Sequence, residues 1–169
     1  MTVHEIGEIM EFDKIKKYVA EGGNINKKNE KGENVLHIAC EYGDFDIVKF
    51  LIENGADIHQ ADNNGATPMY VASQEGKLDV VKYLIKKGAD INKADQDGFT
   101  PLHIASHNGY FEMVKYLVDN GADINKADKY GVTPLFIASY KGHFDIVKYL
   151  KHKIQRQKKI DEICDVLSI

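Results

Sequence analysis

Apolar and polar positions alternate along this chain in a rhythm that changes twice and then starts again. Behind the Thr100-Pro101 pair, Leu102, Ile104 and Ala105 crowd into a short run. Beyond it Phe111, Val114, Leu117 and Val118 recur at i, i+3, i+6 and i+7, with Glu112, Lys115 and Asp119 on the opposite face. The two patterns predict a short helix followed by an amphipathic one. Thr100 is placed to cap the first helix with its hydroxyl, and Pro101 suits the first helical position, where its missing N–H would be unpaired anyway. Gly109 is placed to end the first helix and Gly121 the second, each as a left-handed C-terminal residue. The polar stretch "ADINKADKYG" that follows reads as an extended turn with Gly131 at its tip. The unit is helix, turn, helix, protruding loop.

The same unit is written several times. Gly55, Gly88 and Gly121 are spaced by 33 residues and each opens "GADI"; Thr67, Thr100 and Thr133 keep the same step and each precedes proline. A fixed period of this kind marks a stacked array, in which no unit can bury its apolar face alone. The words "TPLHIA", "IVKYL" and "NGADIN" are similar to the ankyrin repeat consensus, and "TPLH-x-A" at period 33 is its specific signature. The resemblance implies an all-α ankyrin-repeat solenoid of four recognisable repeats with a capping unit at each end. The expected boundaries are 29–61, 62–94, 95–127 and a truncated 128–153, preceded by an N-terminal capping repeat over 1–28 and followed by a tail or capping helix over 154–169.

Both ends depart from the repeat. Lys14 stands where the later units have Ile47, Val80, Met113 and Ile146, and Lys17 stands where they have an aromatic, as expected of a solvated cap. Lys151 replaces the apolar residue found as Ile52, Ile85 and Val118, and no "GAD" follows Leu150. Ile160, Ile163, Val166 and Leu167 have helical spacing, which favours a further amphipathic helix packed over the last unit, with a frayed end as the alternative.

Composition narrows the function. The 169 residues are 43% hydrophobic and 28% charged, an ordinary folded composition, and the net charge of -4 does not suit a bulk polyanion binder. Cys40 and Cys164 are far apart and fit neither a disulfide framework nor a metal motif, so a reducing, cytoplasmic setting is expected. Glu5, Glu8 and Glu11 sit where a signal peptide needs an apolar core, and no stretch approaches the roughly 18 apolar residues of a membrane span.

Candidate chemistry is thin. His37 and His103 fill the fourth position of "NVLH" and "TPLH", where the ankyrin resemblance implies a structural imidazole; Tyr70 and Phe136 take that place in the other units. Asp62 and Asp95 open "DNNG" and "DQDG", a fragment of a calcium loop whose remaining ligand positions are missing, so they are expected to shape turns. Cys40 aligns with Ser73, Ser106 and Ser139 and reads as a packed thiol. No nucleophile elbow, phosphate loop or zinc-protease motif occurs. No enzymatic activity, cofactor or metal is expected.

Seven cations, Lys141, Lys148, Lys151, Lys153, Arg156, Lys158 and Lys159, crowd the C-terminal end, as a solubilising cap or a contact for an acidic ligand. The ankyrin resemblance also implies that Asn92 and Asn125, the asparagines of "GADIN", are candidate hydroxylation substrates.

A stacked array curves, and loop tips together with the exposed side of each first helix line its concave surface. Thr, Pro and Gly repeat from unit to unit, whereas positions at those offsets differ in every unit. The expected partner-binding residues are Glu33, Glu41, Tyr42, Gln74, Glu75, Phe99, His107, Asn108, Tyr130, Val132, Tyr140 and Lys141. The first half of this surface is acidic and the second half aromatic, and exposed aromatics are typical interface anchors. The sequence thus reads as a non-enzymatic scaffold or adaptor, expected to be monomeric, that binds an unidentified protein partner. The alternative is a recognition or autoinhibitory domain of a larger enzyme or effector.

Overall fold

The structure is a computed structural model and describes residues 12–167, together with the side chains of 12–166. The first eleven residues of the expected N-terminal cap lie outside the described residues. The chain begins with α1 (Phe12–Ala20) and continues as four helix pairs: α2 (Val35–Tyr42) with α3 (Phe45–Glu53), α4 (Pro68–Gln74) with α5 (Leu78–Lys86), α6 (Pro101–Asn108) with α7 (Phe111–Asp119), and α8 (Pro134–Lys141) with α9 (Phe144–Leu167). Among the described residues there is no strand. The first helices α2, α4, α6 and α8 pack side by side as an inner layer, and their partners form an outer layer.

Each inner helix starts as its sequence requires. Thr67, Thr100 and Thr133 accept a hydrogen bond from the backbone N–H three residues on, and Asn34 does the same for α2. Gly43, Gly109 and Gly142 end three of the four in the left-handed conformation. Between layers, Leu36, Met69 and Leu102 are essentially inaccessible, as are Leu51, Leu84, Leu117 and Leu150 from the outer helices. Ala39, Ala72, Ala105 and Ala138 are fully buried at one offset, where a small side chain lets neighbouring inner helices approach. Met113, buried at 2% exposure, belongs to this core although it falls outside the apolar stripe read from Phe111 and Val114.

The loop tips are held locally and to one another. Oδ1 of Asp62 accepts from the N–H groups of Asn64 and Ala66, and Asp95 and Asp128 repeat the arrangement. Successive tips are then joined by backbone bonds, from Asn63 N–H to Lys31 O (2.9 Å), Gln96 N–H to Asn64 O (2.9 Å) and Lys129 N–H to Asp97 O (3.0 Å). These Asp residues shape turns, as their positions suggest.

The C-terminal tail differs from its expected packing. It does not form a separate helix lying over the last unit; residues 154–167 continue α9 without interruption. Ile154 occupies the position at which Gly55, Gly88 and Gly121 terminate the corresponding outer turns, so nothing there permits the left-handed exit. Ile160, Ile163 and Val166 are consequently exposed on the projecting part.

Candidate functional site

On the inner-helix side, the loop tips and α2 and α4 of the first units enclose a groove of about 350 Å³. Glu33 enters from a tip, Glu41 from the end of α2, and Gln74 and Glu75 from the end of α4, so four expected partner-binding residues converge. Asp62 and Asp95 add two more carboxylates from the following tips, and Lys31 is the sole cation in the lining. The charge is therefore strongly negative.

Tyr70 also lines this groove. Read from register, it is a stand-in for the structural histidines. In the fold, its hydroxyl faces the Asp95 carboxylate, and burial together with that carboxylate pushes the phenol well above its usual range. It remains a neutral donor at the base of the acidic groove. The sequence signal was a hydroxyl-bearing ring at a position that holds His37, His103 and Phe136 in the other units.

The other expected residues spread along the same side. Tyr42, Tyr130 and Tyr140 are 60%, 77% and 80% exposed, and Lys141 is exposed beside Tyr140. Phe99, His107, Asn108 and Val132 are half-buried. The Phe99 ring packs 5.5 Å from that of His103, and Asn108 Nδ2 donates to Gln74 O (2.9 Å) while its Oδ1 lies 2.8 Å from His107 Nδ1. Asn108 thus braces the Gln74 end of the acidic groove from the next unit.

The histidines hold units together. His37 Nε2 reaches Ala66 O and His103 Nε2 reaches Val132 O, each at 3.1 Å across a unit boundary. Their Nδ1 atoms accept from the backbone N–H groups of Asn34 and Thr100, closing capping boxes. Burial lowers the pKa of both, so they are neutral links. Cys40 is fully buried, which pushes its thiol far above the normal range. Among the described residues, no three of His, Cys, Asp and Glu gather in a way that could hold a metal ion.

Asn92 and Asn125 differ in environment. Asn92 staples two units: its Nδ2 donates to Gly121 O (3.3 Å) and its Oδ1 accepts from Asp123 N–H (2.8 Å). Asn26, which the sequence reading did not single out, makes the same pair of contacts to Gly55 and Asp57. Asn125 is exposed. The C-terminal cations are not pooled either: Lys153 pairs with Asp119 at 2.6 Å, whereas Lys151, Arg156, Lys158 and Lys159 are exposed along α9. Among the described residues, no helix is long and apolar enough to cross a membrane.

No match was found among curated protein sequences. The family described as "Ankyrin repeats (3 copies)" matches residues 9–95 and 88–161, which together span most of the chain. With stacked helix pairs, tip-to-tip backbone bonds and capping boxes all in register, the chain belongs to the ankyrin repeat family, a repeat-based fold consistent with a protein-interaction scaffold.

Proposed function

We propose that this chain is a non-enzymatic scaffold that captures a partner protein along its concave side, with the acidic groove of the first units as the polar half of the contact. The observation that carries the reading is the convergence of Glu33, Glu41, Gln74 and Glu75 from three separate elements on one groove floored by Tyr70. Among the described residues, none of these side chains hydrogen-bonds to another unit: Glu33 Oε2 accepts from Asn29 Nδ2 within its own tip (2.8 Å), and Glu75 Oε1 accepts from the neighbouring Gln74 Nε2 (3.2 Å). Carboxylates in a partly enclosed groove favour a segment bearing Lys or Arg, the two cations best suited to such recognition. Tyr130 and Tyr140, farther along, supply large rigid surfaces of the kind that anchor interfaces. The two free thiols, buried Cys40 and exposed Cys164, support a reducing, cytoplasmic setting.

The test is a charge reversal. Glu41→Lys with Glu75→Lys replaces two exposed carboxylates at the groove rim and leaves the stack intact. Binding of a cationic partner segment should fall by at least about tenfold and its salt dependence should weaken. Unchanged affinity and salt dependence would remove the groove from the interface.

A further inference from the structure

The outer helices α3, α5, α7 and α9 meet at three junctions that the 33-residue register lets one compare position by position. At the first, Phe45 stands edge-on to Tyr83 (5.4 Å, 69°), and Tyr83 Oη donates to Glu53 Oε1 (3.4 Å) with Lys87 Nζ 5.3 Å from the ring centroid. At the third, Phe111 stands edge-on to Tyr149 (5.8 Å, 82°), and Tyr149 Oη donates to Asp119 Oδ1 (3.1 Å) with Lys153 Nζ 5.4 Å from the ring centroid. Both use one set of groups: an aromatic ring, a tyrosine, a carboxylate and a lysine.

The middle junction keeps only the tyrosine, Tyr116. Leu78 stands where the sister junctions have Phe45 and Phe111, Lys86 stands where they have Glu53 and Asp119, and Asn120 stands where they have Lys87 and Lys153. Among the described residues the Tyr116 hydroxyl has no hydrogen-bond partner, and its ring meets the Lys82 ammonium at 5.9 Å in place of a second ring. Lys82 is already paired with Asp79 (3.2 Å), so Lys86 is the cation left over. Helices α5 and α7 are also less closely apposed than α3 with α5 or α7 with α9. An open groove of about 820 Å³ lies there, lined by Phe45, Lys82, Tyr83, Lys86, Tyr116 and Asn120 among others. What this junction lacks relative to its sisters is a ring, a carboxylate and the lysine at position 120, and Lys82 brings a cation to the ring in that lysine's stead.

We propose that this groove is a second docking site, on the outer-helix side, for an acidic segment of a partner protein that presents a Phe or Tyr ring beside an Asp or Glu carboxylate. The ring packs against Tyr116 from the groove and supplies the aromatic contact that Phe45 and Phe111 make elsewhere and that Leu78 cannot. The carboxylate takes up the place of Glu53 and Asp119, where it accepts from Tyr116 Oη and neutralises Lys86. Polypeptide side chains fill both sister sites, Phe45 with Glu53 and Phe111 with Asp119, and a partner peptide can bring a ring and a carboxylate to Tyr116 together. Desolvated ring contacts and a charge-assisted hydrogen bond are each favourable in such a setting.

The test uses the full chain, labelled with ¹⁵N and titrated with acetyl-Glu-Phe-Glu-amide while amide shifts are followed. Saturable shifts are expected on residues 79–87 and 116–120, with binding weakened about tenfold or more when both peptide glutamates are replaced by glutamine. The variant Leu78→Phe with Lys86→Glu supplies the ring and the carboxylate of the sister arrangement within the chain and should abolish the response while holding or raising the melting temperature. Should that variant fail to fold, the exposed replacement Lys86→Gln carries the same test with a similar tenfold loss. No saturable shift, shifts confined to the concave side, or unaltered binding by the variants would overturn the proposal. Equal affinity for free 3-phenylpropanoate would also overturn it, assigning the groove to a small aromatic acid.

Discussion

Nε2 of His103 and the carbonyl oxygen of Val132 lie 3.1 Å apart across a unit boundary, while Nδ1 of the same ring accepts from Thr100 N–H. Both nitrogens are thus committed in the neutral form, and His37 is held the same way by Ala66 and Asn34. Burial is the main reason the pKa of each falls below 6.5 in the folded chain. Between the lowered folded pKa and 6.5, the unfolded chain binds more protons than the folded one, so stability rises with pH through that window. Acidification from pH 7.5 to 5.5 should lower the melting temperature beginning near pH 6.5, as differential scanning fluorimetry can follow. A His37→Gln, His103→Gln double variant should be less stable at pH 7.5 and show a flatter profile.

Asp128 offers a second prediction. Its Oδ2 is buried and has no hydrogen-bond partner, whereas the corresponding Asp95 has the Tyr70 hydroxyl facing its carboxylate. Tyr70 and His103 occupy the same offset in successive units. His103→Tyr should therefore give Asp128 a donor while losing the bond to Val132, a net change within about 1.5 kcal/mol in urea unfolding. His103→Phe provides no donor and should cost about 1–3 kcal/mol.

Two tip glycines separate backbone conformation from crowding. Gly98 and Gly131 both have positive φ, +91° and +79°. A Cβ on Gly98 would meet the Asp128 Cα and Lys129 N of the next tip at 3.0 Å, and one on Gly131 would meet nothing within 4 Å. Gly131→Ala should cost about 1 kcal/mol from conformation alone, and Gly98→Ala about 2 kcal/mol or more because the tip-to-tip bond from Lys129 to Asp97 must shift. Equal losses in denaturant titrations would mean that tip stacking contributes little.

The two thiols should report on the stack directly. Cys164 is exposed near the end of α9, and Cys40 is inaccessible in the core. A thiol reagent should label one cysteine promptly in native buffer and the second only in denaturant. Fast native labelling of both would show that α2 opens readily.

Most of the architecture is legible before any coordinates because stacking imposes the same demands on every unit: a cap at Thr100, a left-handed exit at Gly109, a leucine between layers at Leu117. The acidic groove was partly legible, since Glu33, Glu41, Gln74 and Glu75 differ between units at solvent-facing offsets. Tyr70 was not, because register alone makes it a substitute for histidine, and only the fold brings its hydroxyl to Asp95. The groove around Tyr116 was invisible for a related reason: Leu78, Lys86 and Asn120 are unremarkable residues until one knows which of them meet across the outer helices. The course of α9 was readable in principle from Ile154 standing in the place of Gly121, but the amphipathic spacing of Ile160 and Ile163 argued for packing that the straight helix does not permit.

Paired affinity capture from the native host's lysate probes the concave-side interface. The wild-type chain is compared with one carrying Glu41→Lys, Glu75→Lys, Tyr130→Ala and Tyr140→Ala, after equal helicity and melting temperature have been established. All four side chains are exposed, so the fold should be unaffected. A protein retained by the wild type and lost with the variant is expected. Equal retention by both would contradict it and move the interface to the outer helices or to the basic stretch of α9.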